Sequence, residues 1–184
     1  MCSHINVGTG FDLSIKQLAE IIKKVQVNGN QRISKDTILV LSDIKINTEY
    51  SNDKLNNSLR KLYDSNFFKD IDFNFTDGSL LITVIENPII ENIEILGLKS
   101  ENVIEQLYES IVLKNRMSFT ESLLQKDINL IKNILKANGF YFANVESSLT
   151  KNDELNSVRL KLNIDRGQKA RIKKISFIGD KNIK

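Results

Sequence analysis

The chain has 184 residues, 41% apolar and 27% charged, and its 26 Lys and Arg against 23 Asp and Glu leave a net charge of +3. With one Pro and eight Gly it is neither collagen-like nor Pro-rich, and its balance of apolar and charged residues is that of a globular protein. Cys2 is the only cysteine, which excludes an intrachain disulfide, and no apolar run approaches the ~18 residues of a membrane-spanning helix.

Residues 1–22 read differently from the rest. Asn6-Val7-Gly8-Thr9-Gly10 is a strand end and turn. Ser14, with Gln17 three residues on, forms a capping box, and Ile15, Leu18, Ala19 and Ile22 follow at helical spacing, which predicts a short amphipathic helix. The passage from His4 to Ile22 resembles the C-terminal part of GDP-L-fucose synthases and related extended short-chain dehydrogenases, with His4-Ile5-Asn6-Val7-Gly8-Thr9-Gly10 carrying the likeness. Neither a G-x-x-G-x-x-G loop nor a Y-x-x-x-K pair falls within it, so the resemblance implies no activity and marks a junction between Leu18 and Val25. The first 24 residues also lack a basic start followed by an unbroken apolar core, so any export sequence is expected to lie outside this sequence.

Residues 23–88 form a first module. The strand Lys24–Asn28 ends at Gly29. Ser34 caps a short helix carrying Ile38, Leu39 and Leu41, and Ser51 opens a second with Leu55, Leu59, Leu62 and Tyr63 on one face. Ile71, Phe73 and Phe75 alternate with Asp72 and Asn74 as a strand with one buried face. Asp77-Gly78 is a two-residue hairpin signal, and Leu80, Ile82 and Val84 give the return strand before Pro88.

Residues 89–166 repeat that order. After the strand Ile89–Gly97, Ser100 caps a helix with Val103, Ile104, Leu107, Tyr108 and Ile111 inward. Thr120 opens a longer helix with Leu124, Ile128, Ile131 and Leu135 on one stripe, closed by Gly139. A strand Tyr141–Leu149, a polar turn at Lys151-Asn152-Asp153 and a strand Val158–Ile164 follow. Residues 167–184 begin a third copy, with its strand at Ile175–Gly179. Gly29, Gly97 and Gly179 close the three first strands at spacings of 68 and 82 residues, too long for the common solenoid repeats. Short joints near Pro88 and Arg166-Gly167 predict modules without loose tethers.

The strand–helix–helix–strand–strand order with Gly after the first strand resembles POTRA domains, the periplasmic repeats of outer membrane protein assembly factors. Gly29-Asn30-Gln31-Arg32-Ile33 is similar to their G-N-x-R-[IV] passage, and Leu62 through Ile71 to L-y-x-x-x-x-F-x-D-[IV]. Leu81–Pro88 is similar to l-x-[IV]-x-V-x-E-x-P, Gly139–Val145 to G-[YF]-x-x-A-x-V, and Arg166-Gly167 through Gly179 to the start of a further domain, with Arg166 where an acidic residue is usual. The resemblance covers residues 23–184. It implies an α+β fold of tandem modules, each a three-stranded mixed sheet with two helices on one face. It also implies two complete domains and the first strand of a third, from the periplasmic part of a longer outer-membrane protein whose signal peptide and barrel are not in this sequence. Unfolded outer-membrane proteins, assembly-machinery lipoproteins and a periplasmic chaperone are the partners it implies, with no cofactor.

A three-stranded sheet leaves edge strands whose free N–H and C=O groups can accept an extended segment of another chain. The candidate edges are the second strand of each module, with Lys69, Asp70, Ile71, Asp72 and Phe73 in the first and Asn144, Val145, Glu146, Ser147, Ser148 and Leu149 in the second; Glu146 and Ser148 are the expected outward positions. Lys69, Asp70 and Asp72 are equally suited to guard the edge against pairing. The aromatic runs Phe67-Phe68 and Phe140-Tyr141-Phe142 are read as core rather than a ligand box. Asp and Glu pairs are expected on solvent faces. His4 is the only histidine, so no His-based triad can be built in the modules, and a Cys2–His4 metal pair lacks two further ligands. The basic end, with Arg166, Lys169, Arg171, Lys173, Lys174, Lys181 and Lys184 against Asp165 and Asp180, carries no aromatic stacking platform, so a solvated face is favoured over a phosphate or lipid-headgroup patch, and nucleic-acid binding lacks a motif. The expected function is a binding scaffold, with a passive spacer that docks partners as the alternative reading and a nucleotide-sugar enzyme fragment as a remote one.

Overall fold

A computed structural model describes residues 3–5, 20–170 and 174. The chain divides into two compact units, Met1–Ile89 with Ser118–Thr120, and Ile90–Met117 with Glu121–Lys184. The helix expected after Ser14 and the strand expected at Ile175–Gly179 lie outside the described residues.

The first unit contains β1 (Ser3–Ile5), β2 (Glu20–Ile22), β3 (Lys24–Asn28), α1 (Lys35–Ser42), β4 (Thr48–Tyr50), α2 (Asn52–Asp64), β5 (Phe68–Thr76) and β6 (Ser79–Glu86). The Ser34 side chain accepts the Thr37 N–H, and that of Ser51 accepts the Lys54 N–H, so both helices start where their caps predict. Asn66 stops the run after α2 in the left-handed region, φ 59°. At the hairpin, Asp77 (φ 49°) and Gly78 (φ 79°) both take positive φ, as a two-residue primed turn requires.

The main sheet of this unit has the order β1-β5-β6-β3, with β3 parallel to β6 and the other neighbours antiparallel. The register sets Ile71 opposite Val84, Phe73 opposite Ile82 and Phe75 opposite Leu80, with Val25 beside Leu80 on the far side. These residues share one face by the period of two, and they form one core with Ile38, Leu55, Leu59 and Leu62 from the helices.

Two features depart from the sequence expectation. The sheet has a fourth strand, because Ser3–Ile5 pairs with Phe73–Phe75. Ile22 is not the end of a helix: Glu20–Ile22 pairs antiparallel with Thr48–Tyr50, and Ile22 is fully buried in the core. Segments of three residues are too short to show either period, and only their pairing with distant chain identifies them.

The second unit contains β7 (Ile89–Leu96), α3 (Glu101–Ser110), α4 (Glu121–Ala137), β8 (Asn144–Asn152) and β9 (Ser157–Asp165) in a sheet of order β7-β9-β8. Contacts rise together along β7 and β9, from Glu91 with Ser157 and Arg159 to Glu94 with Lys161 and Gly97 with Ile164, so the two strands run parallel. The β8–β9 pair is antiparallel and unbroken from Asn144 opposite Asp165 to Asn152 opposite Ser157. Leu124, Ile128, Ile131 and Leu135 are all buried, as their stripe predicts.

Here the expected boundaries shift. Tyr141 and Phe142 belong to a turn and are 58% and 79% exposed, so they are neither strand nor core. The strand starts at Asn144 and runs on to Asn152, and the turn is Asp153–Asn156. Tyr108 is also at the rim instead of inward. In the first unit the aromatic expectation holds for Phe68, 3% exposed and edge-on to Phe67 at 6.3 Å.

Leu62 and Leu135 are fully buried, one in each unit. Replacing either by Ala is expected to destabilise its unit by roughly 2–5 kcal/mol, through lost burial and a residual cavity. Urea unfolding followed by CD checks this. Each substitution should lower one of two transitions and spare the other, and a single transition shifting equally for both would argue for one cooperative unit.

Candidate strand-acceptor edges

A strand edge accepts a new strand only where its outward N–H and C=O groups are free. The edge of β3 is met by Lys35, whose Nζ donates to the Val25 carbonyl at 2.7 Å. The edge of β5, expected to be open, is occupied twice. Ser3–Ile5 covers Phe73–Phe75. Further along, the Ile71 N–H donates to the Tyr63 hydroxyl at 3.2 Å and to Asp70 Oδ1 at 3.0 Å, and the register slips between Phe68 and Asp70. Burial pushes the Tyr63 hydroxyl pKa up, so it stays protonated. Lys69 and Asp70 are exposed, Asp72 is half-buried, and Ile71 and Phe73 are core. The guard reading of Asp70 therefore describes the geometry, with Tyr63 as a partner that the sequence reading placed only on the apolar face of α2.

The same device recurs at β7. The Tyr108 hydroxyl donates to the Ile93 carbonyl at 2.9 Å and accepts the Ile95 N–H at 3.2 Å, taking two backbone groups of one strand.

Besides the three-residue β1, β2 and β4, the other edge strand is β8, bordered only by β9. Val145 is its one buried residue and Leu149 is half-buried, while Asn144, Glu146, Ser147 and Ser148 are exposed. Glu146 and Ser148 lie at the parity opposite to Val145 and Leu149. Asn144 Nδ2 donates to Glu146 Oε1 at 3.1 Å along this face. Among the described residues no side chain hydrogen-bonds to a β8 backbone group within Asn144–Lys151, so this nine-residue strand is the longest edge without an interceptor.

Two buried carboxylates contradict the expectation that acidic residues face solvent. Glu86 Oε1 accepts the N–H groups of Gln31, Arg32 and Ile33 at 2.8, 2.9 and 2.9 Å, and its Oε2 pairs with Arg32 Nε at 3.1 Å. In the second unit Asp127 accepts the N–H groups of Val112 and Leu113 at 2.7 and 2.8 Å. Both were visible in the pattern. Glu86 continues the buried parity of Leu80, Ile82 and Val84, and Asp127 sits on the stripe three residues after Leu124 and four before Ile131. At the half-buried Glu91, the Ser157 hydroxyl and then Arg159 hold the carboxyl below the usual carboxylate range.

No group of three or more potential metal ligands occurs among the described residues, and none of their helices is long and apolar enough to cross a membrane. Tyr50 and Lys54 have the Y-x-x-x-K spacing of short-chain dehydrogenases. However, Tyr50 ends a strand and is buried, with its hydroxyl held by the Lys45 N–H and the Asp43 carbonyl.

Two strand–helix–helix–strand–strand units in tandem define a modular repeat protein. The model of the POTRA family, surface antigen variable number repeat, matches residues 20–87 and 88–167, and the chain belongs to that family. As POTRA repeats, the two units are scaffold domains and not an enzyme. The chain is 29% identical over 161 residues to the outer membrane protein assembly factor BamA of Neisseria meningitidis, covering 86% of this chain and 20% of that protein. It thus spans about a fifth of the length of the curated relatives it matches. In fold it is similar to the N-terminal domain of Omp85 from Thermosynechococcus elongatus, with a TM-score of 0.55 at 13% identity over 84% of this chain and 65% of that one. It is also similar to POTRA1-3 of the periplasmic domain of Omp85 from Anabaena, with a TM-score of 0.52 at 12% identity over 83% and 63%.

Proposed function

We propose that these two units are part of a periplasmic scaffold for outer membrane protein assembly, and that β8 takes extended segments of unfolded outer-membrane proteins by strand addition. The observation that carries this reading is the contrast between edges. Side chains or chain segments intercept β3, β5 and β7, whereas β8 is bordered on one side and has mostly exposed side chains. Main-chain pairing makes little demand on client sequence, which suits a receptor for many β-rich chains. The relatives named as assembly factors support the setting, and lipoproteins and a chaperone fit as further partners on the helical faces. The β5 edge, from Lys69 to Phe73, has no place in this mechanism, because Tyr63, Asp70 and Ser3–Ile5 hold its backbone groups.

Paired proline substitutions test the proposal. Successive residues of a strand point their N–H groups to opposite sides, so one of Ser147→Pro and Ser148→Pro removes a β9 ladder bond and the other removes only an outward donor. The variant that keeps the wild-type unfolding midpoint is expected to lose client-peptide affinity by about tenfold or more. The matching Ala variant should bind as the parent does, with only mild salt dependence. Equal binding by the Pro and Ala variants would remove β8 from the mechanism and leave a spacer that docks partners through its helices.

A further inference from the structure

The two units treat one equivalent position in opposite ways. Gly29 stands against the Val84 carbonyl, and Gly97 stands against the Ile164 carbonyl. Two residues past Val84 is Glu86, whose buried carboxylate accepts three N–H groups from the loop that follows Gly29. Two residues past Ile164 is Arg166. The second unit therefore carries an exposed cation at the position where the first carries the buried carboxylate that closes its loop.

Around this position the second unit has a cavity of about 180 Å³, lined by the cations Lys99, Arg166 and Lys169 and the apolar Leu98, Val103 and Leu135. The guanidinium of Arg166 is 5.5 Å and the ammonium of Lys169 6.0 Å from the centre of the Phe140 ring. Ser100, at the cap of α3, also lines the cavity, and its side chain makes no capping bond. The first N–H groups of a helix have no partner within it and favour negative charge.

Asp165 is exposed and accepts the Gly167 N–H at 3.0 Å, while Glu101 lines a separate groove with Ile104 and Tyr108. No carboxylate among the described residues is hydrogen-bonded to Leu98, Lys99 or Ser100.

From this contrast we infer that the cavity between the Gly97 loop and Arg166 is a site for a carboxylate supplied by another polypeptide, from an apolar C-terminal residue or an acidic side chain. Arg166 and Lys169 pair with the carboxylate, and Leu98, Val103 and Leu135 hold the adjoining apolar group. The site is separate from the β8 edge and stands whether or not that edge binds clients.

The test is an NMR titration of the whole chain, with three peptide probes. They are acetyl-Gly-Ala-Leu with a free carboxylate, the same peptide as its amide, and acetyl-Gly-Glu-Leu amide. The expected result is saturable movement of the Leu98–Glu101 amide signals with one or both carboxylate peptides, and at least about tenfold weaker binding of the plain amide. Arg166→Glu restores the charge used in the first unit. It is expected to abolish peptide binding and to slow hydrogen exchange at Lys99–Glu101, a readout that also reports an intact fold. Lys126→Gln, an exposed charge change elsewhere on α4, should leave binding unaltered. The inference is overturned by equal binding of acid and amide, by undiminished binding to Arg166→Glu, or by a site that takes inorganic phosphate and neither carboxylate peptide.

Discussion

Gly29→Ala and Gly97→Ala are each expected to destabilise their own unit by roughly 3–5 kcal/mol, from a strained backbone and a forced strand separation together. Gly29 holds φ 81° and Gly97 φ 90°, a region that L side chains rarely adopt. Space is the larger obstacle. A Cβ at Gly29 would be driven into the Val84 carbonyl, and one at Gly97 into the Ile164 carbonyl. Those oxygens belong to the neighbouring strands β6 and β9, so relief requires parting the first strand of the unit from its partner. The neighbour is backbone, and no side-chain rotation removes the clash. Urea unfolding measures the effect, with Gly29→Ala lowering the first unit's transition and Gly97→Ala the second's. Gly78→Ala is a useful comparison. It shares the positive φ but meets mainly the flexible Lys23 side chain at 3.3 Å, so it should lose less. A loss below about 1 kcal/mol at Gly29 or Gly97 would show that the close approach carries little of the stability.

Glu86→Ala is the second large effect, expected at roughly 3–5 kcal/mol in the first unit. The carboxylate is almost fully buried and serves four donors, the N–H groups of Gln31, Arg32 and Ile33 and the Nε of Arg32. Removing it leaves three backbone donors and a half-buried guanidinium without their acceptor, and unsatisfied buried groups are costly. Arg32 also donates from Nη2 to the Asn87 carbonyl at 2.7 Å, so part of its anchoring survives. Glu86→Gln retains one acceptor oxygen for the N–H groups but turns an amide toward Arg32, and roughly 1–3 kcal/mol is expected. Thermal unfolding together with hydrogen exchange at Gln31–Ile33 separates the two variants. Exchange at these amides should accelerate most in the Ala variant. Unchanged exchange there would mean that the loop is held by something other than Glu86.

The sequence by itself determined most of the element list. Leu124, Ile128, Ile131 and Leu135, and the alternation Ile71, Phe73, Phe75, are local periods that declare which face is buried, and Ser34, Ser51 and Asp77-Gly78 are local signals for caps and a turn. Tertiary structure decided what depends on residues far apart in the chain. The strand Glu20–Ile22 exists because Thr48–Tyr50 pairs with it, and three residues carry no period of their own. Whether an edge is open is set by whichever side chain reaches it. Tyr63 and Tyr108 read as apolar positions on helices until their hydroxyls are seen on the backbone of β5 and β7, and nothing local to Lys35 announces that its ammonium reaches β3. The opposed roles of Glu86 and Arg166 belong to the same class. Both residue types were readable, but their equivalence is defined by two glycines pressed against two distant carbonyls, a relation that only the folded chain creates.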